Sequence, residues 1–235
     1  SHRKGCKKLV LLSTVCSYPK HTPVPFKEEY IWNGYPEETN APYGVAKKAL
    51  MEMLSSYRKQ YGFNGITIIR VNMYGPYDNF DPKVSHVIPA LILKIQKAIH
   101  KGLGEVEVWG TGEASREFLY VDDCAEAIAM ATEKYNKPGP VNIGTGREIK
   151  IRDLINTIVH IMDYQGKIVF DTSKPDGQPR RCLDVEKARD EFNFEATTTL
   201  EEGLYKTIEW FRNDYWNNFV QRQGDAASPP VGQPL

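Results

Sequence analysis

A strand, a helix and a second strand follow one another in the first 76 residues, and this order constrains the fold more than any other feature. The run 8–15 is apolar at its centre, which predicts a parallel strand buried on both faces. Apolar residues then recur at helical spacing over 41–61, and the β-branched run 66–73 predicts a second buried strand. Such a βαβ unit predicts an α/β fold with a parallel sheet.

The second half of the chain continues the alternation, with shorter elements, and predicts a smaller α+β region interleaved with the sheet. Asn40 or a neighbouring residue could cap the first helix, and Gly62 could end it. Asp122 or Asp123 could cap a later helix, and Pro89 suits the first turn of another. The expected later strands are 106–109, 116–121, 141–143 and 167–170, and the expected later helices are 89–100, 122–134, 151–162, 185–192 and 200–216.

The composition gives no sign of binding to nucleic acid or to membranes. The 30 Lys and Arg residues balance the 30 Asp and Glu residues. No apolar run approaches the ~20 residues that a bilayer-spanning helix needs, and the polar N-terminus does not resemble a signal peptide. The four cysteines contain no C-x-x-C pair. We therefore expect a cytoplasmic protein with reduced thiols and with no metal, nucleic-acid partner or membrane association.

Tyr43 and Lys47 lie four residues apart near the start of the first predicted helix. This spacing puts an ammonium beside a phenol on one helical face, an arrangement that lets a tyrosine exchange a proton with a carbonyl oxygen. Alone, such a pair is usually a packing pair. Thr14, Cys16 and His86 also have ordinary interpretations. Thr14 could be a strand-end hydroxyl, Cys16 a small buried residue, and His86 a helix cap or a surface residue. Ligands bind at the carboxyl ends of parallel strands, where Thr14, Tyr43 and Lys47 are expected to meet, so these three residues together favour a catalytic site.

Longer motifs surround these residues and resemble the extended short-chain dehydrogenase/reductase family. Thr14, Tyr43 and Lys47 match the Ser/Thr-Tyr-Lys triad of that family, and the resemblance runs collinearly over residues 8–210. The D-N-F and S-H-V-I-P-A-L runs are specific to one branch of it, whereas Y-x-x-x-K and Y-G-P are shared widely. The matching segments are residues 13–19, 43–47, 72–80, 85–91, 108–112, 116–118 and 174–177.

The resemblance implies an NADP(H)-dependent enzyme that acts on a GDP-sugar. The implied activity is 3,5-epimerisation and 4-keto reduction of GDP-4-keto-6-deoxy-D-mannose to GDP-L-fucose. Cys16 and His86 would be the acid/base pair that moves the protons at C3 and C5. In the reduction, Tyr43 would protonate the C4 oxygen, Lys47 would hold the nicotinamide ribose and Thr14 would hydrogen-bond the oxygen.

The same resemblance assigns binding residues. Trp109 could pack on a flat surface or be a core aromatic, and Arg180 and Arg181 could reach phosphate or be surface charges. The expected cofactor contacts are Leu12, Ser13, Thr14, Val15, Lys47, Arg70, Val71, Asn72, Met73 and His86. The expected contacts to the GDP-sugar are Lys94, Trp109, Arg116 and Asp176.

The sequence departs from the family at the dinucleotide site. It contains no G-x-x-G-x-x-G pattern, the Gly-rich turn that holds the pyrophosphate. We therefore expect an N-terminally truncated chain that retains the C-terminal part of a Rossmann-like sheet and binds NADP(H) poorly by itself. Residues 1–76 would be the remaining part of the dinucleotide-binding domain, residues 77–222 the interleaved substrate-binding region, and residues 223–235 a disordered tail.

Three interpretations stay open at this point. The first is the enzyme described above, and the resemblance suggests a homodimer in which the Tyr43 helix pairs across a two-fold axis. The second is another nucleotide-sugar epimerase or dehydratase of the same fold, although a simple 4-epimerase has no need of the Cys16 and His86 pair. The third is a catalytically silent truncated isoform or fragment.

Overall fold

A computed structural model describes residues 1–174, 176–218 and 220 of the chain. The predicted tail 223–235 lies outside these residues. Within them the strands are β1 (Leu9–Thr14), β2 (Gly65–Arg70), β3 (Asn72–Tyr74), β4 (Glu105–Trp109), β5 (Ser115–Tyr120), β6 (Pro140–Ile143), β7 (Glu148–Lys150) and β8 (Lys167–Asp171). The helices are α1 (Ala41–Tyr61), α2 (Val87–Lys101), α3 (Val121–Lys134), α4 (Ile151–Met162), α5 (Glu186–Phe192) and α6 (Leu200–Trp210), the last continuing into a π-helical turn (Phe211–Trp216).

The first sheet is parallel and has the order β1-β2-β6, which confirms the predicted α/β class. In its register Leu11 lies opposite Thr67, and Ile68 lies opposite Val141. β2 is central and almost wholly buried. The prediction that β1 is buried on both faces was wrong for its first four residues, which are half-buried. Among the described residues β1 pairs with β2 alone, so its outer edge lacks the neighbour that would cover it.

Helix α1 joins β1 to β2 and brings Tyr43 to the end of β1. Its C-terminus is the predicted one, because Gly62 adopts the left-handed conformation at φ 61° that closes a helix. Asn40 occupies the N-cap position, but the prediction that its side chain caps the helix was wrong. Its amide donates instead to the Glu37 carboxylate at 2.7 Å.

A close approach fixes α1 against the segment that follows β1. A Cβ on Gly44 would lie 2.5 Å from the carbonyl oxygen of Cys16 and 3.1 Å from the Pro36 ring. Only glycine therefore permits this contact between helix and strand end. The consequence is that Tyr43, one residue earlier in the helix, lies beside the Thr14–Cys16 segment.

The predicted strand 66–73 is in fact two strands. β2 ends at Arg70, and after Val71 the chain enters β3, which pairs in parallel with β5 in a second sheet of order β3-β5-β7. β7 was not predicted, since three residues are too few for a period-2 pattern to be visible. It pairs antiparallel with β5, and β4 pairs in parallel with β8.

The predicted cap of helix α3 was also wrong. The helix begins at Val121, so Asp122 and Asp123 lie in its first turn rather than at the N-cap. The buried Asp123 carboxylate accepts hydrogen bonds from the backbone N–H and the hydroxyl of Thr198, both at 3.1 Å. Helix α2 begins at Val87, which places Pro89 in its first turn as predicted.

Two hydrophobic cores meet at β5. Phe118 and Tyr120 belong to the core that α2, α4 and α6 enclose, whereas Leu119 between them belongs to the core around β2 and β6. The alternation follows from the two faces of a strand. No helix in the described part of the chain is long and apolar enough to cross a bilayer.

Candidate active site

Two adjoining cavities open where β1, β2 and β3 end, and they share the side chains of Asn72, Met73 and His86. The first, which we call the strand-end cavity, has a volume of about 420 Å³ and includes Thr14, Cys16 and Tyr43 in its wall. The second, the β4–β5 cavity, has a volume of about 410 Å³ and lies between α2 and strands β4 and β5. The position agrees with the rule that ligands bind beyond the carboxyl ends of parallel strands.

Thr14 is the last residue of β1, and its hydroxyl shapes the turn that follows. The Thr14 Oγ1 accepts a hydrogen bond from the Cys16 backbone N–H at 3.2 Å. This bond starts the short 3₁₀ turn Val15–Ser17. The half-buried Cys16 thus lies two residues from Thr14 on the same cavity wall.

Tyr43 and Lys47 occupy the first turns of α1, as the spacing predicted. The Tyr43 side chain is exposed at the cavity, and the Lys47 Nζ lies 5.7 Å from the centre of its ring. The Lys47 Nζ also donates a hydrogen bond to the Leu12 carbonyl oxygen at 2.9 Å. The lysine therefore connects the Tyr43 helix to β1 and keeps a positive charge beside the phenol.

His86 reaches the site from the other half of the chain. It is the N-cap residue of α2, but its side chain makes no capping hydrogen bond. Instead the exposed imidazole lines both cavities. A thiol, an imidazole and a phenol therefore surround the same strand-end cavity.

The expected cofactor residues divide into two groups. Arg70, Val71, Asn72 and Met73 line the strand-end cavity along with Thr14 and His86. The other four residues lie outside the lining of both cavities: Leu12, Ser13, Val15 and Lys47. Ser13 and Val15 are buried, and Lys47 is hydrogen-bonded to the Leu12 carbonyl oxygen.

Arg70 contributes an unpaired donor to the strand-end cavity. Its Nε is buried and has no hydrogen-bond partner among the described residues. Buried polar groups are nearly always paired, so an orphaned donor in a cavity wall suits a ligand that accepts hydrogen bonds.

All four residues expected to bind the GDP-sugar line the β4–β5 cavity: Lys94, Trp109, Arg116 and Asp176. Trp109 is 66% exposed, so the alternative of a core aromatic was wrong. The Lys94 Nζ donates to the Glu107 carbonyl oxygen at 2.8 Å. Cations beside an exposed indole suit a ligand that combines a phosphate with a flat ring.

Arg116 and Asp176 are held by the backbone around them. The Arg116 Nη1 donates to the Gln178 carbonyl oxygen at 2.6 Å. Burial, together with the nearby Arg181 guanidinium, lowers the pKa of Arg116 to about 10, which leaves it charged at neutral pH. Hydrogen bonds from the Thr111 hydroxyl and backbone N–H lower the pKa of the Asp176 carboxyl. Gly110 lies against this carboxylate at φ 86°, where a Cβ would come within 2.3 Å of Oδ1.

The sequence did not distinguish two adjacent arginines that the structure separates. Arg180 is a surface residue with a 60% exposed side chain, and it pairs with the Glu148 carboxylate. The Arg181 side chain is 11% exposed and points inward, with its Nη1 3.6 Å from the Cys16 Sγ. Neither the spacing of the two arginines nor the residues around them in the sequence shows which one is exposed and which one points inward.

Glu117 was missed as well, although a carboxylate within an apolar strand could have signalled it. It is buried in β5, where its Oε1 accepts from the backbone N–H groups of Thr145 and Gly146 and its Oε2 accepts from that of Leu183. Burial raises the pKa of Glu117. Glu117 fixes the segment that carries Arg181 to the strand that carries Arg116.

The cysteines and the remaining acidic groups form no further centre in the described part of the chain. Cys6, Cys16, Cys124 and Cys182 are free thiols. No group of three or more His, Cys, Asp or Glu side chains among the described residues is arranged to hold a metal ion. Cys16, Tyr43 and His86 are side chains that can transfer protons, and all three line the strand-end cavity.

Comparisons with known proteins show the family to which the chain belongs. Residues 1–144 match the model of the NAD dependent epimerase/dehydratase family. A GDP-L-fucose synthase from Sinorhizobium fredii is 42% identical over 218 residues, which cover 93% of this chain and 69% of that protein. A probable GDP-L-fucose synthase from Oryza sativa subsp. japonica is 42% identical over 205 residues, covering 87% of this chain and 62% of that one.

A solved structure has the same fold. The crystal structure of a GDP-L-fucose synthetase from Naegleria fowleri bound to NADP superimposes with a TM-score of 0.85 at 30% identity. The match covers 92% of this chain and 69% of that one. This chain thus spans about two thirds of the length of the relatives described here.

Proposed function

Because the chain belongs to the NAD dependent epimerase/dehydratase family, we propose that it carries out the reaction of the GDP-L-fucose synthases that it resembles. The substrate is GDP-4-keto-6-deoxy-D-mannose and the product is GDP-L-fucose. The reaction combines epimerisation at C3 and C5 with NADPH-dependent reduction of the C4 ketone. The similarity at 42% identity favours this reaction over those of other nucleotide-sugar epimerases and dehydratases.

One observation carries the proposal: the two cavities adjoin and have different chemistry. Proton-transfer groups (Cys16, Tyr43 and His86) surround the strand-end cavity, and a cationic and aromatic group surrounds the β4–β5 cavity. A GDP-sugar has a reactive ring at one end and a diphosphate and flat base at the other. The arrangement suits such a ligand, with the keto sugar in the strand-end cavity and the GDP portion in the β4–β5 cavity.

In the proposed epimerisation, the Cys16 thiolate removes the proton from C3 or C5. The S–H bond forms as the C–H bond breaks, and the electron pair moves to the C4 oxygen as an enolate. His86 donates a proton to the opposite face of the same carbon, which inverts it. The two groups come from different parts of the fold, the turn after β1 and the N-cap of α2, so they can lie on different faces of a bound ring.

For the proposed reduction, the residues fit a dinucleotide at the strand ends. NADPH supplies the hydride for C4 when it is bound. Tyr43 donates the proton to the C4 oxygen, and the Thr14 hydroxyl and the Lys47 ammonium orient the groups around it. The unpaired Nε of Arg70 and the strand-end residues Val71 to Met73 offer the contacts for the cofactor.

Three further parts of the proposal concern the whole protein. We place the protein in the cytoplasm and expect a homodimer in which α1 takes part. Residues 1–76 belong to the dinucleotide-binding part, and 77–222 to the substrate-binding part. The interleaving has support in the first sheet, where β6 from the second segment pairs with β2 from the first.

The test separates the two steps. The protein is incubated in D₂O with GDP-4-keto-6-deoxy-D-mannose, with or without NADPH, and deuterium at C3 and C5 is followed by NMR and mass spectrometry. We expect Cys16→Ser to abolish deuterium incorporation. Tyr43→Phe should keep it and lower GDP-L-fucose formation by about 10²-fold or more, the usual contribution of a general acid.

Cys6→Ser is the matched control, because Cys6 is an exposed thiol outside both cavities. It should leave both steps unchanged. Equal loss of both steps in Cys16→Ser and Tyr43→Phe would contradict the division of roles. Absence of both exchange and product with the unsubstituted protein would contradict the function itself.

A further inference from the structure

We propose that Arg181, held in place by Glu37, is a positioning residue for the Cys16 thiolate and therefore controls the epimerisation step. This inference rests on the proposed function and adds to it a pair of residues that are not among the expected catalytic residues. It explains why one of two adjacent arginines is turned into the protein while the other is on the surface.

The contacts of Arg181 account for its orientation. The Nη1 approaches the Cys16 Sγ at 3.6 Å, which is hydrogen-bonding distance for sulfur. The Nε donates to the Gln178 Oε1 at 2.7 Å, and the Nη2 lies 3.9 Å from the Glu37 Oε2. The guanidinium is rigid and planar. The contacts of its Nε with Gln178 and of its Nη2 with Glu37 therefore fix the direction in which its Nη1 faces, which is towards Cys16.

Glu37 is itself immobilised at the beginning of the Tyr43 helix. Its carboxylate accepts from the Thr39 hydroxyl at 2.6 Å and from the Asn40 amide at 2.7 Å. The hydrogen bond from Thr39, followed by that from Asn40, lowers the pKa of Glu37 to about 2, so the group is ionised at any working pH. A fixed negative charge thus lies near the Nη2 of Arg181, whereas Cys16 lies near its Nη1.

Two guanidinium groups lie near the Cys16 sulfur. Arg181 touches the thiol, and Arg116 is close enough to interact with both Arg181 and Cys16. A guanidinium that donates to a thiolate stabilises it, which is the form that removes a proton. Arg181 keeps its own proton throughout: the S–H bond forms from the substrate proton, and the electron pair passes to the C4 oxygen.

The proposal predicts selectivity between the two steps. The contacts of Arg181 lead to Cys16, Gln178 and Glu37, and none of these donates the proton in the reduction assigned to Tyr43. Loss of the guanidinium should therefore slow epimerisation much more than reduction. A residue that merely stabilised the fold would affect both steps together.

The experiment compares Arg181→Gln, Arg181→Lys and the control Arg180→Gln. Alkylation by iodoacetamide is measured at fixed pH on the peptide that contains Cys16, with the exposed Cys6 as an internal reference. We expect Arg181→Gln to slow alkylation of Cys16 about tenfold, since a hydrogen bond to a charged group is lost. Arg181→Lys should retain part of the rate, and Arg180→Gln and the Cys6 reference should be unchanged.

The second readout is deuterium incorporation at C3 and C5, which should fall in parallel in Arg181→Gln. Reduction is measured separately with the substrate already epimerised and should fall less than twofold. Alkylation of Cys16 that is equal or faster in Arg181→Gln overturns the proposal, as does equal loss of both steps. If the unsubstituted protein incorporates no deuterium, the proposed function fails, but the alkylation rates still decide the role of Arg181.

Discussion

Glu37 illustrates how a single side chain can serve stability and the site together. Its pKa is lowered from 4.5 to about 2 by hydrogen bonds that only the carboxylate can accept fully, first from the Thr39 hydroxyl. The ionised form is therefore favoured by the folded state. Its contribution to stability is complete above pH 4.5, the ordinary value, and disappears as the pH falls towards 2.

We predict that Glu37→Gln lowers the free energy of unfolding by about 1–2 kcal/mol at pH 7, because charge-assisted hydrogen bonds are lost. The difference from the unsubstituted protein should stay constant above about pH 5 and shrink between pH 4.5 and 2, where the glutamate itself becomes neutral. Urea unfolding at a series of pH values measures this. Glu29→Gln, on an exposed side chain, is the control. A difference that does not depend on pH would refute the assigned cause.

At the scale of single residues, the sequence predicts which side chains lie close together only where they are a few positions apart in the chain. Tyr43 and Lys47 are four apart on a helix, and their proximity in the structure follows from that alone. Glu37 and Arg181 are 144 positions apart, and their contact depends on how the two halves of the chain pack. No local pattern reveals such a pair, nor which of Arg180 and Arg181 turns inward.

Among the elements, those with a long periodic pattern could be predicted and those that depend on pairing could not. Helix α1 has the predicted bounds, because 21 residues carry a clear pattern and Gly62 ends it. The change from β2 to β3 at Val71 was not visible, since the apolar run continues through it. The break exists because Arg70 still pairs in the first sheet, whereas Asn72 already pairs in the second.

Strand β5 depends on Glu117 for its connection to two neighbouring segments. The carboxylate accepts three backbone N–H groups, from residues 145, 146 and 183. We predict that Glu117→Gln lowers the free energy of unfolding by about 2–4 kcal/mol, because the amide nitrogen replaces one acceptor and faces a buried N–H. Hydrogen exchange at Leu183 should accelerate more than at the centre of β2.

The matched control is Glu107→Gln, which changes an exposed side chain on β4, a strand of another sheet. It should alter stability by less than about 0.5 kcal/mol, as surface substitutions usually do. If Glu117→Gln were as mild as the control, the three hydrogen bonds would have no structural importance, and the position of the Arg181 segment would need another explanation.

At the scale of the whole molecule, the site lies where two separately packed cores meet. In β5, Leu119 packs in one core, whereas Phe118 and Tyr120 pack in the other. The two cavities follow the same division, since β1 and α1 line one and β4 and α2 line the other. The sequence predicted both sets of residues, but only the packing of the cores determines that the cavities adjoin.

Helix α1 also presents an exposed apolar face, formed by Leu50, Met53, Tyr57 and Tyr61. These residues recur every three or four positions and so form one stripe. An exposed apolar stripe on the helix that carries Tyr43 supports the proposed homodimer, in which it would be covered by a second copy. The stripe lies apart from the buried positions Met51 and Leu54, which pack beneath α1.

We predict that Leu50→Glu combined with Tyr57→Glu weakens dimerisation at least about tenfold, as measured by analytical ultracentrifugation. In a two-fold interface each new carboxylate meets the same surface of its partner, so like charges face each other without water. Ser56→Glu adds the same charge on an exposed position of α1 outside the stripe and should leave the dimer intact. The interface would be ruled out if the unsubstituted protein were monomeric at micromolar concentration, or if the stripe and control variants had equal effects. Neither outcome would affect the proposed catalytic roles of Cys16 and Tyr43.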